Sequence, residues 1–331
     1  MDAIVLVGGL GTRLRPLTAH RHKSLVPILN RPAIDYLFDW LGRAGIRRVV
    51  LALGMHNEDL AAAYEGSRPA RTELLIVRET ERLESGGAIR NAVREAGIEG
   101  RFVVVNGDVY VDFDFQDCLA QHEATNADLT IALYPVAEPW NFGVAAIDAA
   151  RMITAFVEKP AKGTEPSNLV NAGVWVFEPG LVDEIPAGAV RVEMTLFPTL
   201  VKSGRRVLGY QFEGLWADIG TPARYLELSH SLLSDHNSIG VRVQVDPGAR
   251  VKGSSLGDGC TIAAQVNIVD SVLWETVEVG DGATIERSII ADGVTVGDGA
   301  TLRGVVVGAG AIVSPGAVLR EGTSVEPGAT V

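Results

Sequence analysis

The chain has 331 residues, 47% of them apolar and 21% charged, with a formal net charge of −12, which is the composition of a globular protein of about two domains at roughly 150 residues each. That charge repels nucleic acid and anionic membrane, so neither is an expected partner, and any phosphate chemistry needs a local basic pocket. Two cysteines exclude a disulfide framework, and no apolar run approaches the ~20 residues of a membrane span; together with an N-terminus that lacks a basic segment, this points to a cytoplasmic protein.

In chain order, the first 235 residues alternate strand and helix patterns. Ala3–Val7, Arg48–Leu53, Leu74–Val77, Phe102–Val105 and Leu129–Leu133 are short, continuous apolar runs. Between them, Pro32–Ala44 (with Ile34, Leu37, Phe38 and Leu41 at helical spacing), Asp59–Tyr64, Ala88–Ala96 and Phe115–Ala124 are predicted helices. Continuous apolar strands separated by helices indicate an α/β domain with a doubly wound, mostly parallel sheet. Such sheets bind ligands at the carboxyl ends of their strands. The stretch Gly143–Val176 is richer in strand pattern and reads as an insertion beside the pocket.

Composition changes near residue 235. Of five Trp, six Tyr and nine Phe, only Trp274 lies beyond His236, whereas 16 of the 37 glycines do. Val245, Ile262, Val279, Val296 and Val313 recur every 17 residues, and within each unit aliphatics recur every five or six. Three short strands per coil stack these side chains in rows, with Gly and Asp at the corners where turns need positive φ. This pattern resembles the left-handed β-helix of hexapeptide repeats. The expected division is therefore an α/β domain over 1–235 and a β-helix over 236–331. From Gly240 onward there is no His, and Lys252 is the only Lys, so the general base of β-helix acyltransferases is lacking. The solenoid reads as a structural domain that forms homo-oligomers.

The first strand runs into Gly8-Gly9-Leu10-Gly11-Thr12-Arg13-Leu14-Arg15-Pro16-Leu17-Thr18. A glycine-rich loop there lets backbone N–H groups approach phosphate. It is not a Walker loop, since no Gly-Lys-Ser/Thr follows, and Leu14 occupies the third glycine position of the dinucleotide fingerprint. Arg13, Arg15 and Lys23 close by, in an acidic chain, favour an anion site over a plain surface turn.

That loop with Lys23-Ser24-Leu25-Val26-Pro27, Asn106-Gly107-Asp108, Phe142-Gly143-Val144, Glu158-Lys159-Pro160, Asn171-Ala172-Gly173 and Trp216-Ala217-Asp218-Ile219-Gly220-Thr221 resembles the sugar-1-phosphate nucleotidyltransferase family, in family order and nearly end to end. The resemblance implies a reaction in which a sugar 1-phosphate oxygen attacks the α-phosphorus of an NTP in line, releasing pyrophosphate. Positioning and charge neutralisation dominate such chemistry. It makes Asp108 and Asp218 the Mg²⁺ ligands, with Arg13 and Lys23 on the β- and γ-phosphates. Gly8, Gly9, Gly11, Thr12, Gly86 and Asn106 would line the nucleotide site. Lys159 would hold the sugar phosphate, and Glu158, Gly143, Asn171 and Glu193 the sugar.

The resemblance places a base-contacting side chain at Glu79, four residues before Leu83. A carboxylate there accepts from both N1–H and the 2-amine of guanine, which with the Leu10 position favours GTP, and the resemblance of the Arg-Pro-Leu-Thr loop and the solenoid implies mannose 1-phosphate. Glucose 1-phosphate with dTTP or UTP is the second substrate pair. Two positions depart from the family: Ser24 replaces a proline, and Leu83-Glu84-Ser85-Gly86-Gly87 places Glu84 where a glycine is usual. These departures leave open a non-catalytic, NDP-sugar-binding regulatory protein. Asp112-Phe113-Asp114 resembles the Asp-x-Asp motif of glycosyltransferases, against which the phosphate loop and the Asp218 motif both argue.

Overall fold

The computed structural model describes every residue except Leu10 and His56, together with the side chain of Arg71. By its contacts the chain divides into two compact units, Met1–Gly9 with Ile34–Trp216, and Leu10–Ala33 with Ala217–Val331. The second unit thus joins the segment 10–33 to the solenoid, a grouping not visible in the composition.

The first unit holds a nine-stranded sheet. Its elements are β1 (Asp2–Val7), α1 (Ala33–Arg43), β2 (Arg48–Leu53), α2 (Glu58–Tyr64), β3 (Glu73–Arg78), α3 (Glu84–Ala96), β4 (Phe102–Asn106), β5 (Val109–Asp112), α4 (Phe115–Ala124), β6 (Leu129–Pro135), β7 (Gly143–Ile147), β8 (Ile153–Glu158), β9 (Leu169–Phe177), α5 (Leu196–Lys202) and β10 (Val207–Gln211). Strand order is β8-β7-β9-β4-β1-β2-β3, with β6 on β9 and β10 on β6.

The sheet is mixed. β4, β1, β2 and β3 run parallel, as their unbroken apolar sequences require. β9 enters antiparallel to β4, and β7 and β8 extend it. The strand-rich stretch Gly143–Val176 is therefore part of the main sheet and not an insertion beside it. Ile4, Val50, Val104, Ile131, Trp175 and Phe197 belong to its continuous buried core.

Close backbone approach fixes the glycines at the ends of the parallel strands. A Cβ at Gly54 would lie 2.7 Å from the Gly8 Cα, and one at Gly107 would lie 2.3 Å from Val7 Cγ1. Only glycine fits at either point.

The solenoid is built from short parallel strands in three sheets of six, five and five strands. Val245, Ile262, Val279, Val296 and Val313 pair in register, one per coil. Ile285, Ile290, Leu302 and Val307 occupy the two other rows, fully buried. Polar ladders share the 17-residue period. Ser271 and Ser288 donate their N–H groups to Ser254 Oγ (3.0 Å) and Ser271 Oγ (3.1 Å), satisfying backbone groups that the corners bury. No helix among the described residues is long and apolar enough to cross a membrane.

Candidate active site

In the second unit, Gly11 adopts the left-handed conformation (φ 60°) and opens a single 3₁₀ turn, Thr12–Leu14. Thr18 Oγ1 closes the loop by donating to the Gly11 carbonyl at 2.8 Å. Leu14 is buried as an anchor, while Thr12 and Arg13 are exposed. Lys23 starts a second 3₁₀ turn, Lys23–Leu25, and is 8% exposed. Its Nζ lies 3.8 Å from Asp218 Oδ1.

Asp218 ends strand β11 (Leu215–Asp218), just before α6 (Pro222–Leu233), which Thr221 caps by accepting from the Arg224 N–H. Arg224 Nη1 reaches Asp218 Oδ2 at 2.8 Å. Gly220 has no room for a Cβ, which would meet Asp218 Oδ2 at 2.7 Å and Arg13 Nη2 at 3.1 Å. Lys23 and Arg224 therefore both reach one carboxylate, and Arg13 lies beside it across Gly220. In a protein of net charge −12 this is a local excess of positive charge, with two guanidinium forks suited to phosphate. Sequence reasoning missed Arg224, because a single arginine inside a helix carries no motif.

In the first unit, Gly8 and Gly9 follow β1 and are exposed. Asp108 sits in the two-residue turn between β4 and β5, half-buried. Asn106, at the end of β4, packs against Gly173, whose φ of 76° accompanies a bulge in β9. A Cβ on Gly173 would lie 2.8 Å from Asn106 Nδ2. Asn171 Oδ1 accepts from the Gly173 N–H (3.0 Å) and the Trp175 indole (2.7 Å), so what this side chain offers a ligand is its amide NH₂.

Gly143 and Glu158 face each other across the β7–β8 pair. A Cβ at Gly143 would lie 2.7 Å from Glu158 Oε2, which explains the glycine. Glu158 pairs with Arg191 at 2.9 Å. Lys159 follows at φ 47°, exposed, with its N–H donated to the Phe142 carbonyl at 2.9 Å. Glu193 is 8% exposed and accepts from Ser85 Oγ at 2.7 Å. Burial pushes its carboxyl above the usual range, and the Ser85 hydroxyl works against that shift. Arg191 and Ser85 were not foreseen in these roles: Arg191 belongs to no motif, Ser85 sits in the Leu83–Gly87 segment without its partner being written there, and only the fold brings them to Glu158 and Glu193.

Glu79 follows β3, half-buried, and accepts from the Leu83 N–H at 3.3 Å. Burial raises its pKa as well. Gly86 is enclosed: a Cβ there would meet Val190 Cγ2 at 2.9 Å, and its N–H is donated to the Val190 carbonyl at 2.8 Å. Glu84 stands at φ 56°, a conformation natural to glycine, and its carboxylate pairs with Arg82 at 2.6 Å. The Leu10 expectation lies outside the described residues.

Asp112 and Asp114 have other occupations than the glycosyltransferase reading requires. Asp112 pairs with Arg43 at 2.9 Å on the surface, and Asp114 caps α4 by accepting from Gln116 and Asp117 N–H. Among the described residues no three His, Cys, Asp or Glu side chains converge as a metal cage. Asp108 and Asp218 are hard oxygen donors, of the kind that Mg²⁺ takes one or two at a time alongside substrate phosphates.

A glycine-rich loop after the first strand of an α/β sheet, cations beside Asp218 and a β-helix tail form one constellation within the chain. A profile of the nucleotidyl transferase family matches residues 2–235, and one of the eIF2B subunit epsilon LbH domain matches residues 225–331. The chain is 33% identical over 302 residues to a mannose-1-phosphate guanylyltransferase of Mycobacterium tuberculosis, covering 87% of this chain and 83% of that protein. It is 34% identical over 253 residues to a mannose-1-phosphate guanyltransferase of Gibberella zeae, covering 75% of this chain and 68% of that one. Among solved structures it resembles HddC from Yersinia pseudotuberculosis, with a TM-score of 0.61 and 25% identity over 70% of this chain and 99% of that one. The chain belongs to the nucleotidyl transferase family, and its C-terminal domain is a left-handed β-helix.

Proposed function

We propose that this enzyme joins GTP to mannose 1-phosphate, giving GDP-mannose and pyrophosphate. The observation that carries the reading is that Lys23 and Arg224 both reach Asp218, with Arg13 beside them across Gly220. A sugar phosphate and a triphosphate must be held together against their mutual repulsion, and the leaving pyrophosphate gathers charge as the bond breaks. Arg13 and Lys23 neutralise that charge on the β- and γ-phosphates, assisted by the N–H groups of the Gly8–Thr12 loop. Asp108 and Asp218 are the carboxylates that would hold Mg²⁺, which would supply screening of the phosphate oxygens.

On the acceptor side, Lys159 holds the phosphate of the sugar. Glu158 and Glu193 accept from sugar hydroxyls, kept in place by Arg191 and Ser85, while Asn171 donates and Gly143 leaves room for the ring. Glu79 reads guanine, and the mannose-1-phosphate guanylyltransferase relatives support that base and that sugar. Cys118 and Cys260 are unpaired thiols, which accords with a reducing cytoplasm. The β-helix carries exposed Val241, Val245, Ile312 and Val318, on which we place self-association.

The test is pyrophosphate release with Mg²⁺ across GTP, dTTP, UTP, CTP and ATP, crossed with mannose and glucose 1-phosphates. A maximum at GTP with mannose 1-phosphate is expected, reduced at least tenfold for GTP alone in Glu79→Gln. A maximum at another pair would overturn the substrate assignment and keep the reaction.

A further inference from the structure

Trp274 is the one aromatic of the solenoid, and it has no place in the aliphatic rows. It follows the strand Val272–Leu273 and is 3% exposed. Its cover is the phosphate-loop segment. The Arg21 guanidinium lies over the indole, 5.0 Å from the ring centroid, and Arg21 Nη2 meets Asp292 Oδ2 at 2.8 Å. The other Asp292 oxygen accepts from the Glu275 N–H at 3.3 Å, which fixes the carboxylate to the next coil. The Trp274 indole donates to the Tyr225 hydroxyl at 3.0 Å, and that hydroxyl donates to the Pro27 carbonyl at 2.5 Å.

The segment bearing Lys23 is thus held on both sides by one coil: through Arg21 before it and Pro27 after it. Asn30 adds a second tie, donating to the Leu256 carbonyl at 2.9 Å and accepting from Ser255 Oγ at 3.2 Å. The helix that carries Tyr225 also carries Arg224, which grips Asp218. Trp274 therefore touches, through one residue, the mounting of both Lys23 and Asp218.

We propose that Trp274 and Asp292 of the β-helix are positioning residues for the phosphate cluster, acting through Arg21 and Tyr225. The solenoid is then part of the nucleotide-binding machinery and not only a platform for assembly. A 3₁₀ turn of three residues has little rigidity of its own, and a buried lysine works only where its backbone is fixed. This inference rests on the reading that Lys23 holds the nucleotide's phosphates.

The experiment is titration calorimetry of the full-length protein with Mg²⁺ and inorganic pyrophosphate, which removes the base from the question, and separately with mannose 1-phosphate. Arg21→Ala and Trp274→Phe are expected to weaken pyrophosphate about tenfold and about threefold, with mannose 1-phosphate unchanged within twofold and Arg21→Lys restoring part of the loss. Trp274→Phe leaves Arg21 in place with a smaller aromatic face beneath it and removes the indole N–H to Tyr225, so it alters the mounting without touching a cation of the cluster and separates positioning from direct contact. Unchanged pyrophosphate binding in Trp274→Phe beside a loss in Arg21→Ala would make Arg21 a direct ligand and overturn the proposal. Equal losses for both ligands with a lowered Tm would reduce the contacts to general support, and overturn it too. Lys23→Ala serves as the reference: if it leaves pyrophosphate binding intact, the parent reading fails, whereas a loss in Lys23→Ala with none in Arg21→Ala and Trp274→Phe defeats the positioning role alone.

Discussion

Lys23 and Asp218 meet at 3.8 Å, with side chains 9% and 15% exposed, and Arg224 reaches the second oxygen of the same carboxylate. The aspartate thus lies between two cations, of which Lys23 is proposed to bind phosphate as well. Asp218→Asn keeps its shape and removes its charge. Turnover is expected to fall at least about 100-fold, by analogy with the loss of one preorganised electrostatic partner, and the Mg²⁺ concentration for half-maximal rate to rise. A rate titration over Mg²⁺, with circular dichroism to check folding, decides this; near-normal turnover with an unshifted Mg²⁺ dependence would contradict it.

Lys159 is exposed and held at φ 47° by the hydrogen bond of its N–H to Phe142. Its side chain supports no core, so Lys159→Ala is expected to leave Tm within about 1 °C and to lower kcat/KM for the sugar phosphate by about 100-fold. Saturation curves for each substrate in turn measure this. An effect confined to the nucleotide would remove Lys159 from the acceptor site.

Glu193 gives a pH signature. Burial raises its folded pKa above the unfolded value, so the ionised form costs stability. That cost is absent below the unfolded pKa and grows as pH rises through the folded pKa. Glu193→Gln retains a partner for Ser85 and sheds the charge. It is expected to be more stable than the parent at pH 8, with the advantage vanishing toward pH 4. Urea unfolding at several pH values measures the gap, and a gap independent of pH would show that ionisation of Glu193 is not its source.

Glu84 occupies a left-handed backbone position, and its ion pair is with Arg82, which is 81% exposed and so contributes little. Glu84→Gly removes strain worth roughly 1 kcal/mol, offset in part by the greater freedom of glycine in the unfolded chain. A net gain of about 0.5 kcal/mol is expected from denaturant midpoints, with activity retained. A loss of stability would mean that the helix start depends on the carboxylate.

Much of this was legible in the sequence, for reasons that differ by element. Strand Arg48–Leu53 and helix Phe115–Ala124 stand where their patterns put them, since a buried parallel strand and a helix capped by Asp114 are each written locally. The solenoid was readable because one 17-residue period repeats the same constraint at every coil. The antiparallel entry of β9 was not, because an apolar run carries no direction. Nor were Arg191, Ser85 and Arg224, each of which reaches its carboxylate through a fold that sets distant segments side by side. Glu84 was visible as a departure from the family, but only its φ gives the physical reason for the glycine usual there.

The most direct test of the central claim follows the α-phosphorus. The enzyme, Mg²⁺, mannose 1-phosphate and GTP labelled at the α-phosphate are incubated, and products are separated. The account predicts label in a nucleotide sugar, with one pyrophosphate released per sugar consumed. Label remaining in GTP, or appearing only in GMP or GDP, would contradict it.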